Sequence, residues 1–153
     1  MLDTETTGGR LQEAIQIAVT GCDGRVLLDT LLRPAGPINP FAIAVHGITE
    51  AMVRDAPAFP AVYPFLCEAL RGREILVYNA AFDRSVIAKE CARHRLDGPR
   101  RPWTCAMRQA APWFGDWDPA ARAYKSRKLA GGDHSAAGDC RAVLTLIERM
   151  ATG

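Results

Sequence analysis

The feature that most constrains this chain is a pair of acidic residues, Asp3 and Glu5, directly after two apolar residues. Side chains alternate between the two faces of a β-strand, so Asp3 and Glu5 would point to the same side. Two neighbouring carboxylates on a buried strand repel each other and lose hydration. Divalent cations, which prefer oxygen ligands, would stabilise this arrangement. The pair therefore indicates a metal site on a strand, although the same spacing also occurs by chance on solvated strands.

Length and composition predict one globular domain over residues 1–153, because 48% of the residues are hydrophobic and 24% are charged. No apolar run approaches the roughly 20 residues that span a bilayer, so we expect no membrane association. The acidic start argues against a secretory signal peptide. Five scattered cysteines without a Cys-x-x-Cys pair favour reduced thiols, and we expect a cytoplasmic protein.

The order of the predicted elements favours an α/β fold. Three β-elements at the start predict an antiparallel meander, and Asp23-Gly24 is typical of a hairpin turn. A later, continuous apolar stretch is typical of a buried parallel strand. The last helix carries an amphipathic stripe formed by Cys140, Val143, Leu144 and Ile147, with Asp139 at its border. These patterns predict a mixed β-sheet, antiparallel first and parallel later, flanked by helices. After the first strand, strands are predicted at 14–20, 25–32, 74–78 and 103–107, and helices at 41–45, 61–71, 79–95 and 135–150.

Three further residues, Asp83, His134 and Asp139, complete a set suited to phosphodiester hydrolysis. Four carboxylates can hold two divalent cations about 3.5–4 Å apart, where one activates a water and the other stabilises the leaving oxygen. A histidine beside them can take the proton from that water, since histidine exchanges protons readily near neutral pH. Taken singly, Asp83 could be an ordinary acid at a helix start and His134 a surface histidine.

In these segments the chain resembles the DnaQ-like 3′–5′ exonucleases of the DEDDh type. Residues 3–8, Asp-Thr-Glu-Thr-Thr-Gly, are similar to the first motif of that family. Residues 79–83, Asn-Ala-Ala-Phe-Asp, are similar to the second motif, and residues 134–139 to the third, in the family's order. The segment His-Gly-Ile-Thr-Glu at 46–50 also resembles one that recurs between the first two motifs. The resemblance covers essentially the whole chain and implies a ribonuclease-H-like fold with Asp3 and Glu5 on the central strand.

The resemblance implies removal of nucleoside 5′-monophosphates from a nucleic-acid 3′ end, with two divalent ions, Mg²⁺ or Mn²⁺, as cofactors. We expect DNA as the substrate, while the motifs leave open an RNA exonuclease or a nucleic-acid-binding module that has lost catalysis. The implied metal ligands are Asp3, Glu5, Asp83 and Asp139, and the implied general base is His134. The expected substrate contacts are Thr6, Thr7, Gly8, His46, Asn79, Lys125 and Arg127.

The start of the chain departs from the pattern of the family. Only Met1 and Leu2 precede Asp3, whereas the family's first strand normally has several apolar residues there. Either the start has been trimmed or misassigned, or the central strand is cut short. A free α-amino group two residues before Asp3 would also add positive charge near the metals. The sequence also leaves two roles open, because His46 could be a capping or core histidine, and residues 125–128 could be a solvated basic face.

Charge is a weaker indicator of the substrate. The formal net charge is only +2, but if four acids bind metal, the remaining 13 acidic residues face 19 basic ones, a balance of +6. Most of the basic residues are arginines, which can grip phosphate with two hydrogen bonds. A polyanionic substrate is compatible with this balance but is not demanded by it.

Overall fold

An antiparallel sheet and a parallel strand pair form the centre of the computed structural model, which describes residues 1–152. Within these residues, no helix combines the length and apolar character needed to cross a membrane. The strands are β1 (Leu2–Thr6), β2 (Ala14–Thr20), β3 (Val26–Leu31), β4 (Ile75–Val77), β5 (Trp103–Cys105), β6 (Trp117–Asp118) and β7 (Ala123–Tyr124). The helices are α1 (Pro40–His46), α2 (Glu50–Val53), α3 (Phe59–Ala69), α4 (Ala80–Arg93), α5 (Ala106–Phe114) and α6 (Ala136–Thr152).

Strand β1 lies in the middle of the strand arrangement. It pairs with β2 over all five of its residues, and β2 pairs with β3, both antiparallel. On its other side β1 contacts β4, which pairs in parallel with β5. The predicted mixed topology, antiparallel first and parallel later, is therefore confirmed, and the strand that carries Asp3 and Glu5 is central. The α-amino group of Met1 donates to the carbonyl of Thr20 at the far end of β2.

Small side chains bring α6 close to the sheet. Ala18 of β2 packs against Ala136, Ala137 and Cys140 of α6, and all four are buried. Because these side chains are short, the helix backbone approaches the strands closely. Asp139 directly precedes Cys140, so this contact carries its carboxylate to the sheet.

The buried stripe of α6 is rotated slightly from the predicted one. Cys140 and Val143 are buried as predicted, but Leu146 takes the buried position that the sequence pattern gave to Ile147. Helix α3 also begins earlier than predicted, at Phe59, because Pro60 occupies the first turn, where its missing N–H costs no hydrogen bond.

Helix α1 supports the loop that follows β1. The side chain of Asn39 accepts from the backbone N–H of Phe41 and caps α1, while the backbone N–H of Asn39 donates to the carbonyl of Thr7 at 2.9 Å. Gly8 has φ +73°, and a Cβ there would lie 3.1 Å from Cβ of Ala42. Only glycine therefore fits where the loop meets α1.

Candidate active site

Three of the four predicted metal ligands converge at one point. Asp3 and Glu5 lie on the same, half-buried face of β1, while the residues between and around them face the core. Asp139, in the first turn of α6, joins them. One carboxylate oxygen from each of the three residues lies within 4.8 Å of the others. The donor atoms are all oxygen, so this acidic cluster fits a hard divalent cation.

Asp83 lies next to this acidic cluster but is not among the residues whose carboxylate oxygens lie within 4.8 Å of one another. It lies in the first turn of α4, is only 3% exposed, and accepts a hydrogen bond of 2.8 Å from Oγ1 of Thr4. Its charge is close enough to Asp3 to raise the pKa of that carboxyl. Asp83 is therefore available as a fourth oxygen donor beside the other three.

The electrostatics of the acidic cluster favour a bound cation. Burial raises the pKa of Asp3 to about 9, and the charges of Asp83, Glu5 and Asp139 add to the effect. Burial, followed by the charge of Asp139, raises the pKa of Glu5 to about 8. Burial raises the pKa of Asp83 to about 6, although the hydrogen bond from Thr4 opposes this shift. These carboxyl groups cannot all ionise cheaply together without a positive charge between them.

His134 stands on the loop before α6, directly beside Asp139. Its φ is +58°, and its backbone N–H donates to Oδ1 of Asp139 at 3.3 Å. Its side chain is exposed. Burial raises the pKa of Asp139, and the hydrogen bond from the backbone N–H of His134 opposes this shift. An exposed imidazole beside the acidic cluster can accept a proton from a water held there.

Gly138 leaves room for the side chain of Asp133 beside the third motif. Asp133 accepts hydrogen bonds from both the backbone N–H and the hydroxyl of Ser135, which fixes the start of α6. A Cβ on Gly138 would lie 1.7 Å from Oδ1 of Asp133. A side chain at position 138 would thus displace the carboxylate of Asp133 from Ser135.

Two residues that position the site were missed by sequence reasoning. Thr4 holds Asp83, and Gln16 accepts from the backbone N–H of Ala136 at 3.1 Å, which caps the first turn of α6. Gln16 also faces Glu5 in the pairing of β1 with β2. A signal existed for Thr4, because it is polar yet falls on the core-facing side of a strand, where a partner is required.

The threonines of the first motif shape the loop that they begin. Thr6 and Thr7 are buried, and Oγ1 of Thr7 accepts from the backbone N–H of Glu13 at 2.9 Å. Gly8 is half-buried against α1. The contact of Thr6, Thr7 and Gly8 with a terminal nucleotide stays a prediction.

His46 joins α1 to the same loop. Its Nδ1 accepts from the backbone N–H of Ile48 at 3.0 Å, so Nε2 carries the proton and donates to the carbonyl of Thr6 at 3.2 Å. Burial lowers the pKa of His46, which favours this neutral form. The structural role that the sequence left open is therefore present, and the predicted substrate contact of His46 stays a prediction.

The other predicted substrate contacts lie at the surface. Asn79 is exposed at the start of α4. Lys125 lies 3.8 Å from the carboxylate of Asp118, a loose pair, whereas Nε of Arg127 donates to Asp116 at 2.7 Å. Two nitrogens of Arg127 contact Asp116, and its guanidinium lies 4.5 Å from the ring centre of Phe114, so Arg127 would have to leave this exposed carboxylate to bind a phosphate.

The model of the RNase_T family, described as "Exonuclease", matches residues 1–147. The chain belongs to this exonuclease family. Together with the relatives and the solved structure described below, this match confirms the resemblance to DnaQ-like DEDDh exonucleases, the ribonuclease-H-like α/β fold and the assignment as a 3′–5′ exonuclease.

The chain is also similar in sequence or structure to individual exonucleases. An uncharacterized exonuclease, CP81 of Escherichia phage 186, is 30% identical over 169 residues, covering 99% of this chain and 87% of the phage protein. Exodeoxyribonuclease 10 of Escherichia coli K12 is 37% identical over 137 residues, covering 84% of this chain but only 54% of that protein. The chain thus matches about half of the E. coli relative. The solved structure of exonuclease X in complex with 5′ overhanging duplex DNA is 29% identical, with a TM-score of 0.64 and coverage of 99% and 91%.

A substitution at Thr4 tests how this exonuclease site is held. Thr4→Val keeps the side-chain shape but removes the donor to Asp83, so we expect divalent-cation affinity and cleavage rate to fall by about 10–100-fold. Thr4→Ser keeps the hydroxyl and should retain most of both. Manganese titration and single-turnover cleavage measure the effect. Equal cation affinity in Thr4→Val and the unchanged protein would show that the hydrogen bond is not needed.

Proposed function

We propose that this exonuclease is metal-dependent and removes nucleoside 5′-monophosphates from the 3′ ends of DNA. The observation that carries the proposal is the convergence of Asp3, Glu5 and Asp139, from β1 and α6, within 4.8 Å. DNA is favoured as the substrate because the related solved structure is a complex of exonuclease X with duplex DNA. The name of the E. coli relative, an exodeoxyribonuclease, supports the same choice.

The four acids, Asp3, Glu5, Asp83 and Asp139, are proposed to hold two divalent ions, Mg²⁺ or Mn²⁺. Bound there, such ions would acidify a water and neutralise charge on the leaving oxygen. His134 accepts the proton of the attacking water at its imidazole, because its loop stands beside Asp139 and is open to solvent. Thr4 keeps Asp83 aimed at the acidic cluster.

The substrate end is proposed to lie along the loop after β1. Thr6, Thr7 and Gly8 would support the terminal nucleotide through the loop backbone, with His46 fixing the loop from α1. Asn79, Lys125 and Arg127 are exposed and would contact the strand from the other side of the site. Phosphate contacts of this kind would position the strand without reading its sequence.

We further propose one exonuclease domain over residues 1–153, of which Gly153 lies outside the described residues. A cytoplasmic location, expected from the cysteine pattern, stays a prediction.

The experiment that tests this function is digestion of a 5′-end-labelled DNA strand. With Mg²⁺ or Mn²⁺ the label should shorten stepwise from the 3′ end, and with EDTA it should stay at full length. A matched RNA strand in parallel determines whether RNA is also cleaved. Label that remains at full length with both metals would refute the proposal.

A further inference from the structure

A cleft of about 410 Å³ lies where the parallel strands β4 and β5 end, apart from the acidic cluster. Its floor includes Trp103, which is half-buried and packs against the hydrophobic core. Its polar walls are formed by Arg84 on α4 and by Arg108 and Gln109 on α5. The site described above uses none of these side chains.

The cleft has an unbalanced positive charge. No aspartate or glutamate is among the residues that line it, although the carboxylate of Glu74 accepts a hydrogen bond from the hydroxyl of the lining residue Thr104. Across residues 1–152, neither Arg84 nor Arg108 forms an ion pair, whereas Arg71, Arg93, Arg127 and Arg141 each approach a carboxylate. Two unpaired guanidinium groups on one small cleft repel each other and favour an anionic ligand. The planar guanidinium group suits phosphate, to which it can donate two hydrogen bonds.

The backbone adds to this preference. Helices α4 and α5, of 14 and 9 residues, both begin at the cleft. The residues that precede them, Asn79 and Cys105, make no side-chain cap hydrogen bond. The first N–H groups of a helix have no acceptor within the helix, and they carry partial positive charge. In α5 the N–H of Met107 already donates to the carbonyl of Tyr78 at 2.9 Å, so the contribution of the backbone to the positive charge comes mainly from the start of α4.

We propose that this cleft binds a backbone phosphate of the nucleic acid that the proposed function takes as its substrate. Arg84 directly follows Asp83 along α4, so the cleft begins beside the residue that borders the acidic cluster. A phosphate bound in the cleft would hold the nucleic acid at a second point while the 3′ end of the nucleic acid lies at the acidic cluster. This phosphate belongs either to the cleaved strand or to the opposite strand of a duplex.

The test is DNA binding by the double variant Arg84→Gln/Arg108→Gln. Fluorescence anisotropy in EDTA, where no cleavage is expected, measures binding of a labelled single strand and of a blunt duplex that contains it. We expect affinity to fall roughly tenfold at about 0.1 M salt. The slope of the logarithm of the binding constant against the logarithm of the salt concentration should become shallower by about 0.7 for the single strand and by about 0.9 for the duplex. These changes correspond to the loss of one phosphate contact.

The control is Arg25→Gln/Arg54→Gln, which removes two charges from exposed positions outside the cleft that, like Arg84 and Arg108, form no ion pair within residues 1–152. It should keep the slope of the unchanged protein. If the cleft variant loses affinity for both the single strand and the duplex, the phosphate belongs to the cleaved strand. If it loses affinity for the duplex alone, the phosphate belongs to the opposite strand. Affinity and slope that match the control on both forms would overturn the proposal.

Cleavage by the unchanged protein separates this inference from the proposed function. If DNA is cleaved but the cleft variant binds like the control, the cleft inference alone is wrong. If DNA is not cleaved but the cleft variant loses the salt-dependent contact, the proposed function is wrong and the phosphate site remains.

Discussion

Asp3→Asn is expected to lower exonuclease activity by about 10³-fold or more. The carboxylate lies at the centre of the acidic cluster, and a cation that it helps to hold contributes several kcal/mol to the transition state. An amide has nearly the same shape but lacks the negative charge. Single-turnover cleavage of end-labelled DNA with Mg²⁺ measures the effect. Asp55→Asn, the same change at an exposed acid, should cleave like the unchanged protein; similar rates for both variants would contradict the assignment.

The same substitution should stabilise the metal-free protein at alkaline pH. The pKa of Asp3 is raised from 3.8 to about 9 and that of Glu5 from 4.5 to about 8. Between about pH 4 and pH 9 the folded chain therefore holds protons that the unfolded chain has released, so the free energy of unfolding falls as pH rises. Asparagine has no proton to lose, and Asp3→Asn should flatten this dependence.

Thermal melts in EDTA from pH 5.5 to 8.5 test this expectation. The unchanged protein should melt at progressively lower temperature as pH rises, and Asp3→Asn should melt several degrees higher than it at pH 8.5. Asp55→Asn should follow the unchanged protein throughout. A metal-free protein whose stability rises across this range would show that the acids are not crowded as described.

His134→Asn is expected to lower the rate of cleavage by about 10²–10⁴-fold, the range for loss of a general base. Asparagine is the appropriate replacement because His134 has φ +58°, a left-handed conformation that asparagine tolerates and most residues do not. Since the backbone N–H of His134 still reaches Asp139, divalent-cation affinity should change little.

Single-turnover rates and manganese affinity, measured on the same His134→Asn sample, separate the two roles. Loss of rate with retained affinity, and partial rescue by added imidazole, would support the base. Loss of cation affinity in proportion to the rate would instead show that the substitution damages the metal site.

Local periodicity was sufficient to predict part of the site. The alternation of a strand puts Asp3 and Glu5 on one face, and the stripe of the last helix puts Asp139 at its border. Their convergence was predicted only through the family resemblance, because it depends on Ala18 packing against Ala136, a contact between residues far apart in sequence.

Other features could not be read from local patterns. The hydrogen bond from Thr4 to Asp83 and the cap from Gln16 to Ala136 join residues 79 and 120 positions apart. Such contacts depend on how a helix is positioned along a strand. The sequence pattern within the helix or within the strand does not determine that position. The pairing of Arg127 with Asp116 likewise depends on how the chain folds back after α5.

The central claim is that Asp3, Glu5 and Asp139, with Asp83 beside them, form one binding site for divalent cations. Titration calorimetry with Mn²⁺ tests it most directly. The unchanged protein should bind Mn²⁺ saturably, approaching two ions per chain, with Asp3→Asn and Asp139→Asn at least about tenfold weaker and Asp55→Asn unaffected. Absence of saturable Mn²⁺ binding, or binding that Asp3→Asn leaves unchanged, would contradict the account.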